Sequence, residues 1–191
     1  MWAKVEGASI TKLIHRPKAI TIGDTQYSHN IFSLWSETDL KGIGIYSITI
    51  DNTNLKDKEY YQNTDITYTY NSSPDTVTGA YGTATAKSLV DVLYTAEDES
   101  NDLGTEGEIK QYGLKNRHKG SINITAAGYL AQYDWYTLRA ADGGTAIPSA
   151  IATYRTAVRT KANQHTTAIG AVENVDALAA LTFDWPAAPT V

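Results

Sequence analysis

The 191 residues of this chain carry a net charge of −5 and include no cysteine, which excludes disulfide frameworks, thiolate metal sites and cysteine nucleophiles together. The acidic balance opposes nonspecific attraction to nucleic acid or anionic lipid, and no window approaches the roughly 20 apolar residues of a membrane helix. Met1-Trp-Ala-Lys-Val-Glu-Gly7 holds no apolar run of signal-peptide length, so the expectation is a protein made in the cytoplasm, with neither a nucleic-acid nor a membrane partner.

Composition shifts near residue 83. Residues 1–82 are rich in Ile, Thr, Tyr, Asn and Asp, and residues 83–191 in Ala, Glu and Leu. The fold class expected is α+β: a small β-rich N-terminal docking domain over 1–82, built of hairpins and antiparallel sheet, then a mainly helical region over 83–191 with a helical hairpin. The 13 tyrosines and four tryptophans against two phenylalanines add large apolar rings with polar handles, the ring type favoured at protein interfaces.

In chain order, Ala19-Ile-Thr-Ile22 and Thr25-Gln-Tyr27 flank Gly23-Asp24, a pair suited to a hairpin turn. Ile31-Phe-Ser-Leu-Trp-Ser36 leads into a single helical turn, with Ser36 as N-cap, Asp39 three residues on, and Gly42 and Gly44 as the stop. Ile43 to Ile50 alternates as a strand that changes phase at Tyr46, setting Ile43 and Ile45 on one face and Ile48 and Ile50 on the other. Ile66, Tyr68 and Tyr70 alternate with threonines, and Asn71-Ser-Ser-Pro-Asp75 turns them back into Val77-Thr-Gly-Ala-Tyr-Gly82 as a second hairpin.

Further on, Ala86, Leu89, Val90, Leu93, Tyr94 and Glu97 follow helical spacing, and the acidic run Glu97 to Asp102 reads as a solvated loop at the exit. Between Glu106 and Tyr133, Gly113, Gly120 and Gly128 weaken a helix by about 1 kcal/mol each. Ser121-Ile-Asn-Ile-Thr125 reads as helical or extended, and Lys110, Lys115, Arg117, His118 and Lys119 face solvent or pair with the preceding acids. Pro148 starts a helix whose Ile151, Tyr154, Val158, Ala162, His165 and Ile169 form one buried stripe, with Gly170 as its stop. A short helix, Val175 to Leu181, precedes Phe183-Asp-Trp-Pro186.

Chemistry-bearing motifs are sparse. The four histidines lie in four different elements, none at the i, i+4 spacing of a helical metal site, and there is no nucleophile elbow, dinucleotide fingerprint or Walker sequence. Asp134 and Asp142, near Trp135 and Tyr136, are the one carboxylate pair that invites inspection, and the competing reading makes Asp134 a helix terminus. No enzyme activity, cofactor or metal is expected.

One ordered set of motifs stands out: Asp134-Trp135 after a helix, Pro148 opening the next, Tyr154-Arg155 and Arg159 within it, and a closing Trp185-Pro186. Over roughly residues 112–189 this order resembles the C-terminal region of the tailed-bacteriophage tail assembly chaperone family. The front motifs, Arg16 to Tyr27, Ile31 to Ser36 and Leu40 to Ile45, resemble the small N-terminal domain of phage tail-fibre-associated proteins. Arg139 to Ile147 departs from the pattern by carrying Gly143-Gly144.

The resemblance implies a structural virion protein of the tail or tail fibres, oligomeric within an assembly and partnered by other phage tail or tail-fibre proteins. The alternative is a transient assembly chaperone that leaves before the particle is complete. Exposed tyrosines at Tyr60, Tyr61, Tyr68, Tyr70 and Tyr81 would favour a third reading, a host-surface carbohydrate adhesin. In the helical hairpin, Trp135 is expected to pack at the elbow against Ile151 and Tyr154. Arg155 and Arg159, one turn apart, are expected to bind carboxylates of a partner or of residues 97–108. Asp134, Trp135, Tyr154, Arg155, Arg159 and Trp185 are thus the candidate elbow and interaction residues.

Overall fold

Strand β1 (Trp2–Glu6) returns as β2 (Ser9–Ile14) through Gly7 and Ala8, both at positive φ (55° and 66°), the two-residue turn that suits strand twist. A second hairpin, β3 (Ile20–Ile22) and β4 (Thr25–Tyr27), turns at Gly23 as its sequence demands. The structure, a computed structural model, describes residues 1–190. The chain is α+β and divides into two compact units, Met1–Thr85 and Ala86–Val191.

In the first unit, α1 (Ile31–Leu34) and α2 (Glu37–Gly42) precede β5 (Ile45–Asp51). The Ser36–Asp39 capping box forms in both directions, with the Asp39 N–H donating to Ser36 Oγ at 3.2 Å and the Ser36 N–H to Asp39 Oδ2 at 3.1 Å. Gly44, at φ 77°, cannot be replaced cheaply, because a Cβ there would stand 2.8 Å from the Val5 carbonyl oxygen. Short β6 (Tyr61–Gln62) is followed by β7 (Ile66–Ser72) and β8 (Asp75–Tyr81), a hairpin that turns at Ser73-Pro74, and β9 (Thr85–Ala86) comes next.

The main sheet has the order β2-β1-β5-β8-β7 and is mixed, because β5 and β8 run parallel while the other neighbours run antiparallel. Its end strands β2 and β7 approach each other, so the sheet curls. The phase change read at Tyr46 is real. Ile45 joins Ile14, Ile20, Ile31, Phe32 and Leu40 in one buried cluster, whereas Tyr46 joins Ala3 and Val77, with Ile48 packed against them, in another.

The second unit corrects two expectations. Ala86 to Glu97 is not a helix: Val92–Leu93 is strand β10, paired with β11 (Ile109–Gln111). A helix there would need a buried face, yet Val90 and Leu93 are 67% and 48% exposed. Local polar bonds hold the extended path: Ser88 Oγ donates to the Val90 carbonyl, and the Asp91 carboxylate accepts from the Gly113 N–H and Asn116 Nδ2. The acidic run is not a loop but contains α3 (Ala96–Ser100), closed by a Thr95–Asp98 capping box.

The glycine-weakened stretch resolves as one continuous helix, α4 (Leu114–Ala131). It runs antiparallel to α6 (Ser149–Ala171): Lys115 Nζ donates to the Gly170 carbonyl at one end, and Arg155 to the Leu130 carbonyl at the other. Helix α5 (Asp134–Ala141) joins them, and α7 (Val175–Ala179) follows. All six residues of the predicted α6 stripe are buried, and Ile151, Val158 and Ile169 are 0% exposed. Gly170 lies inside the last turn of α6 and is not its stop, which falls after Ala171. The buried residues of α4 are Leu114, Ile122 and Ala126, a narrow strip on a helix whose Ile124 is 75% exposed.

Candidate functional site

The elbow between α4 and α6 is built around Arg155. It comes from the first half of α6 and is 9% exposed, and its Nη1 donates to the Leu130 carbonyl at 2.9 Å and to Asp134 Oδ1 at 2.7 Å. Leu130 is in the last turn of α4, where its carbonyl also accepts from the Tyr133 N–H at 3.0 Å, and Asp134 is the first residue of α5, where a negative charge suits the helix dipole. One guanidinium therefore satisfies the end of one helix and anchors the start of the next. Tyr154 completes the corner by meeting the Tyr133 ring edge-on, with centroids 5.3 Å apart.

Two expected roles are corrected here. Trp135 is not buried in the elbow; it is 50% exposed on α5. Its partners are local. Its centroid lies 3.8 Å from that of Tyr136, and the Arg139 guanidinium sits 4.8 Å from the Trp135 ring and 5.2 Å from the Tyr136 ring. Nor do Arg155 and Arg159 form a pair: Arg155 is consumed by the elbow, while Arg159 is exposed and forms no ion pair among the described residues. The arginine that lies beside these rings is half-buried Arg139, which no sequence motif singled out, with Leu138 next to it at 66% exposure.

Trp185 belongs to a strap after α7 that crosses both long helices. Its ring lies 5.3 Å from Tyr129 of α4 and 5.3 Å from His165 of α6, and the Phe183 ring lies 5.1 Å from that of His165. Between the two aromatics, Asp184 offers its carbonyl to His165 Nε2 at 2.8 Å and its carboxylate to Lys161 Nζ at 2.6 Å. The Lys161 hydrogen bond holds the Asp184 carboxyl below its ordinary range. Lys161 and His165 are four apart on α6, so one helix face grips both the main chain and the side chain of a single strap residue. An apolar-acid-apolar-proline tetrapeptide facing a Lys-x-x-x-His pair was the available signal.

Asp134 and Asp142 stand at opposite ends of α5, and Asp134 is already bonded to Arg155, so the two carboxylates do not converge. Among the described residues no group of three or more His, Asp or Glu is placed to hold a metal ion. Among the described residues no helix is long and apolar enough to cross a membrane. Tyr60, Tyr61, Tyr68, Tyr70 and Tyr81 are all half-buried; Tyr70 donates to Asp75 Oδ1 at 2.7 Å and stacks edge-on to Tyr46. That hydrogen bond raises the Tyr70 hydroxyl well above its ordinary range and lowers the Asp75 carboxyl, which marks a structural clamp across the β7–β8 turn. Compared with protein-family models, curated proteins and solved structures, the chain matches none.

Proposed function

We propose that this chain is a non-enzymatic structural protein of a bacteriophage tail, linking or decorating the tail or its fibres through protein–protein contacts. The observation that carries the reading is the α5 surface, where exposed Trp135 stacks with half-buried Tyr136 and Arg139 beside exposed Leu138. Tryptophan, tyrosine and arginine are the residue types that dominate binding energy at protein interfaces. The surface falls within the stretch whose ordered motifs resemble the tail assembly chaperone family, and the neighbouring Arg155 elbow fixes α5 against α4 and α6 before any partner arrives. A preformed patch loses less ordering entropy on binding.

The test is quantitative mass spectrometry on gradient-purified phage particles, with the chain counted against the major capsid protein. A small, symmetric copy number supports the structural reading. Abundance in the infected lysate with absence from particles replaces it with the transient chaperone. Particles assembled with Trp135→Ala and Arg139→Glu together are expected to lose the chain while its circular dichroism stays unchanged. Retention at full copy number would remove α5 from the contact.

A further inference from the structure

The charge of this protein is unevenly placed. Residues 90–112 hold seven of the chain's 21 acidic residues and one of its 16 basic residues, so this arm carries −6 and all other residues together +1. Glu97, Glu99, Asp102, Glu106 and Glu108 are exposed and form no ion pair among the described residues; Lys110, the lone base, is taken by Asp98 at 2.6 Å. Like charges gathered this way repel one another unless an opposite charge is brought to them.

The arm also exposes apolar side chains. Its sheet has only the two strands β10 and β11, and a two-stranded ribbon is marginal in water by itself. Leu93 and Ile109 stand opposite each other in register and are 48% and 40% exposed, and Leu103 nearby is 59% exposed. Exposed apolar pairs on a ribbon with unpaired outer edges are a template for another chain.

A complementary element exists in the same sequence. Strand β2 is an end strand of the five-stranded sheet, and residues 9–18 carry Lys12, Arg16 and Lys18, with His15 between them and no acidic residue. Lys12, Arg16 and Lys18 are exposed and form no ion pair among the described residues. We infer that the acidic arm 90–112 of one copy of this chain docks on the basic edge segment 9–18 of a second copy, head to tail. Such a contact uses two different surfaces, so it propagates from copy to copy and closes only as a ring or extends as a row. The inference is independent of the tail assignment, because it is read on the purified chain and the tail assignment on particles.

Sedimentation velocity of the full chain over a range of concentrations tests it. Concentration-dependent association is expected at about 50 mM salt, weakened by about tenfold or more at about 500 mM. Glu106→Lys with Glu108→Lys, at exposed positions without ion-pair partners, is expected to be monomeric with an unchanged far-ultraviolet spectrum; Lys12→Glu with Arg16→Glu is expected to be monomeric as well. Mixing the two variants restores association, because each then presents the surface the other needs. Glu106→Gln with Glu108→Gln provides the milder version, with an intermediate loss. A wild-type chain that stays monomeric throughout, as it would if the arm were satisfied within its own chain, overturns the inference. So does association that survives both reversals, or a mixture that stays monomeric.

Discussion

Arg155 shows how one side chain decides what another can do. Because it is buried, its charge is tolerable only with the Leu130 carbonyl and Asp134 as acceptors. Removing the two partners has unequal cost. Arg155→Ala removes one of the donors to the Leu130 carbonyl, leaves Asp134 without its cation and opens a hole at the corner, and is expected to lower stability by about 2–3 kcal/mol. Asp134→Asn, at a side chain 54% exposed, keeps the shape and an acceptor oxygen and should cost under about 1 kcal/mol. Trp135→Ala should also stay near about 1 kcal/mol, because its contacts are local and half-solvated. Thermal denaturation of the three variants checks the order; a Trp135→Ala loss as large as that of Arg155→Ala would contradict the Arg155-centred elbow.

At the scale of single elements, legibility followed how much each segment explains itself. Helix α6 could be read because Pro148 sets its start and five apolar positions and His165 repeat along one face. Helix α2 and the hairpin at Gly23 were equally plain, since a capping box and a positive-φ turn are local devices. Helix α4 was obscured because only Leu114, Ile122 and Ala126 are buried, so its stripe is too sparse to register and its glycines read as breaks. A methyl group added at Gly120 or Gly128 would meet nothing within 4 Å, so Gly120→Ala and Gly128→Ala should each stabilise by about 0.5–1 kcal/mol, measured by urea denaturation. Residues 86–94 misled because helical spacing of apolar residues is informative only where that face becomes buried.

Helix α3 has its own pH signature. The hydrogen bond from Lys110 and that from the Thr95 N–H hold the Asp98 carboxyl at about 2, below the ordinary 3.8. A carboxyl depressed on folding contributes stability that is present above its ordinary value and disappears as pH falls through the folded value. The capping box and the Lys110 link are therefore expected to loosen between about pH 4 and pH 2. Amide chemical shifts of Thr95 and Asp98 would report this, and Asp98→Asn should abolish the transition while weakening the cap at every pH.

For the molecule as a whole, the composition shift near residue 83 foreshadowed a change of architecture, because β-branched and Tyr/Thr-rich sequence suits a pleated surface and alanine-rich sequence suits a helix. What composition hid was the placement of charge and of exposed apolar groups, which depends on the ribbon formed by β10 and β11. Each unit has its own buried residues, so residues 1–85 and 86–191 produced separately are expected to retain their circular dichroism and unfold cooperatively. A non-cooperative melt of either piece would contradict that independence.

The parallel seam between β5 and β8 also sets the order in which the first unit can be completed during synthesis. The β1–β2 hairpin closes early, and β5 can join β1 as soon as it is made. The other edge of β5 then waits, since Ile48 to Asp51 pair with Val77 to Ala80 and the antiparallel partner of those residues is β7. The nascent unit therefore carries an open strand until the β7–β8 hairpin is made, a late, nonlocal pairing of the kind expected to slow folding. Gly79 lies on that seam, where a Cβ would meet Ile50, Ile66 and Tyr68 at 2.9 Å each, so the last strand to dock is also the one with the least room for error.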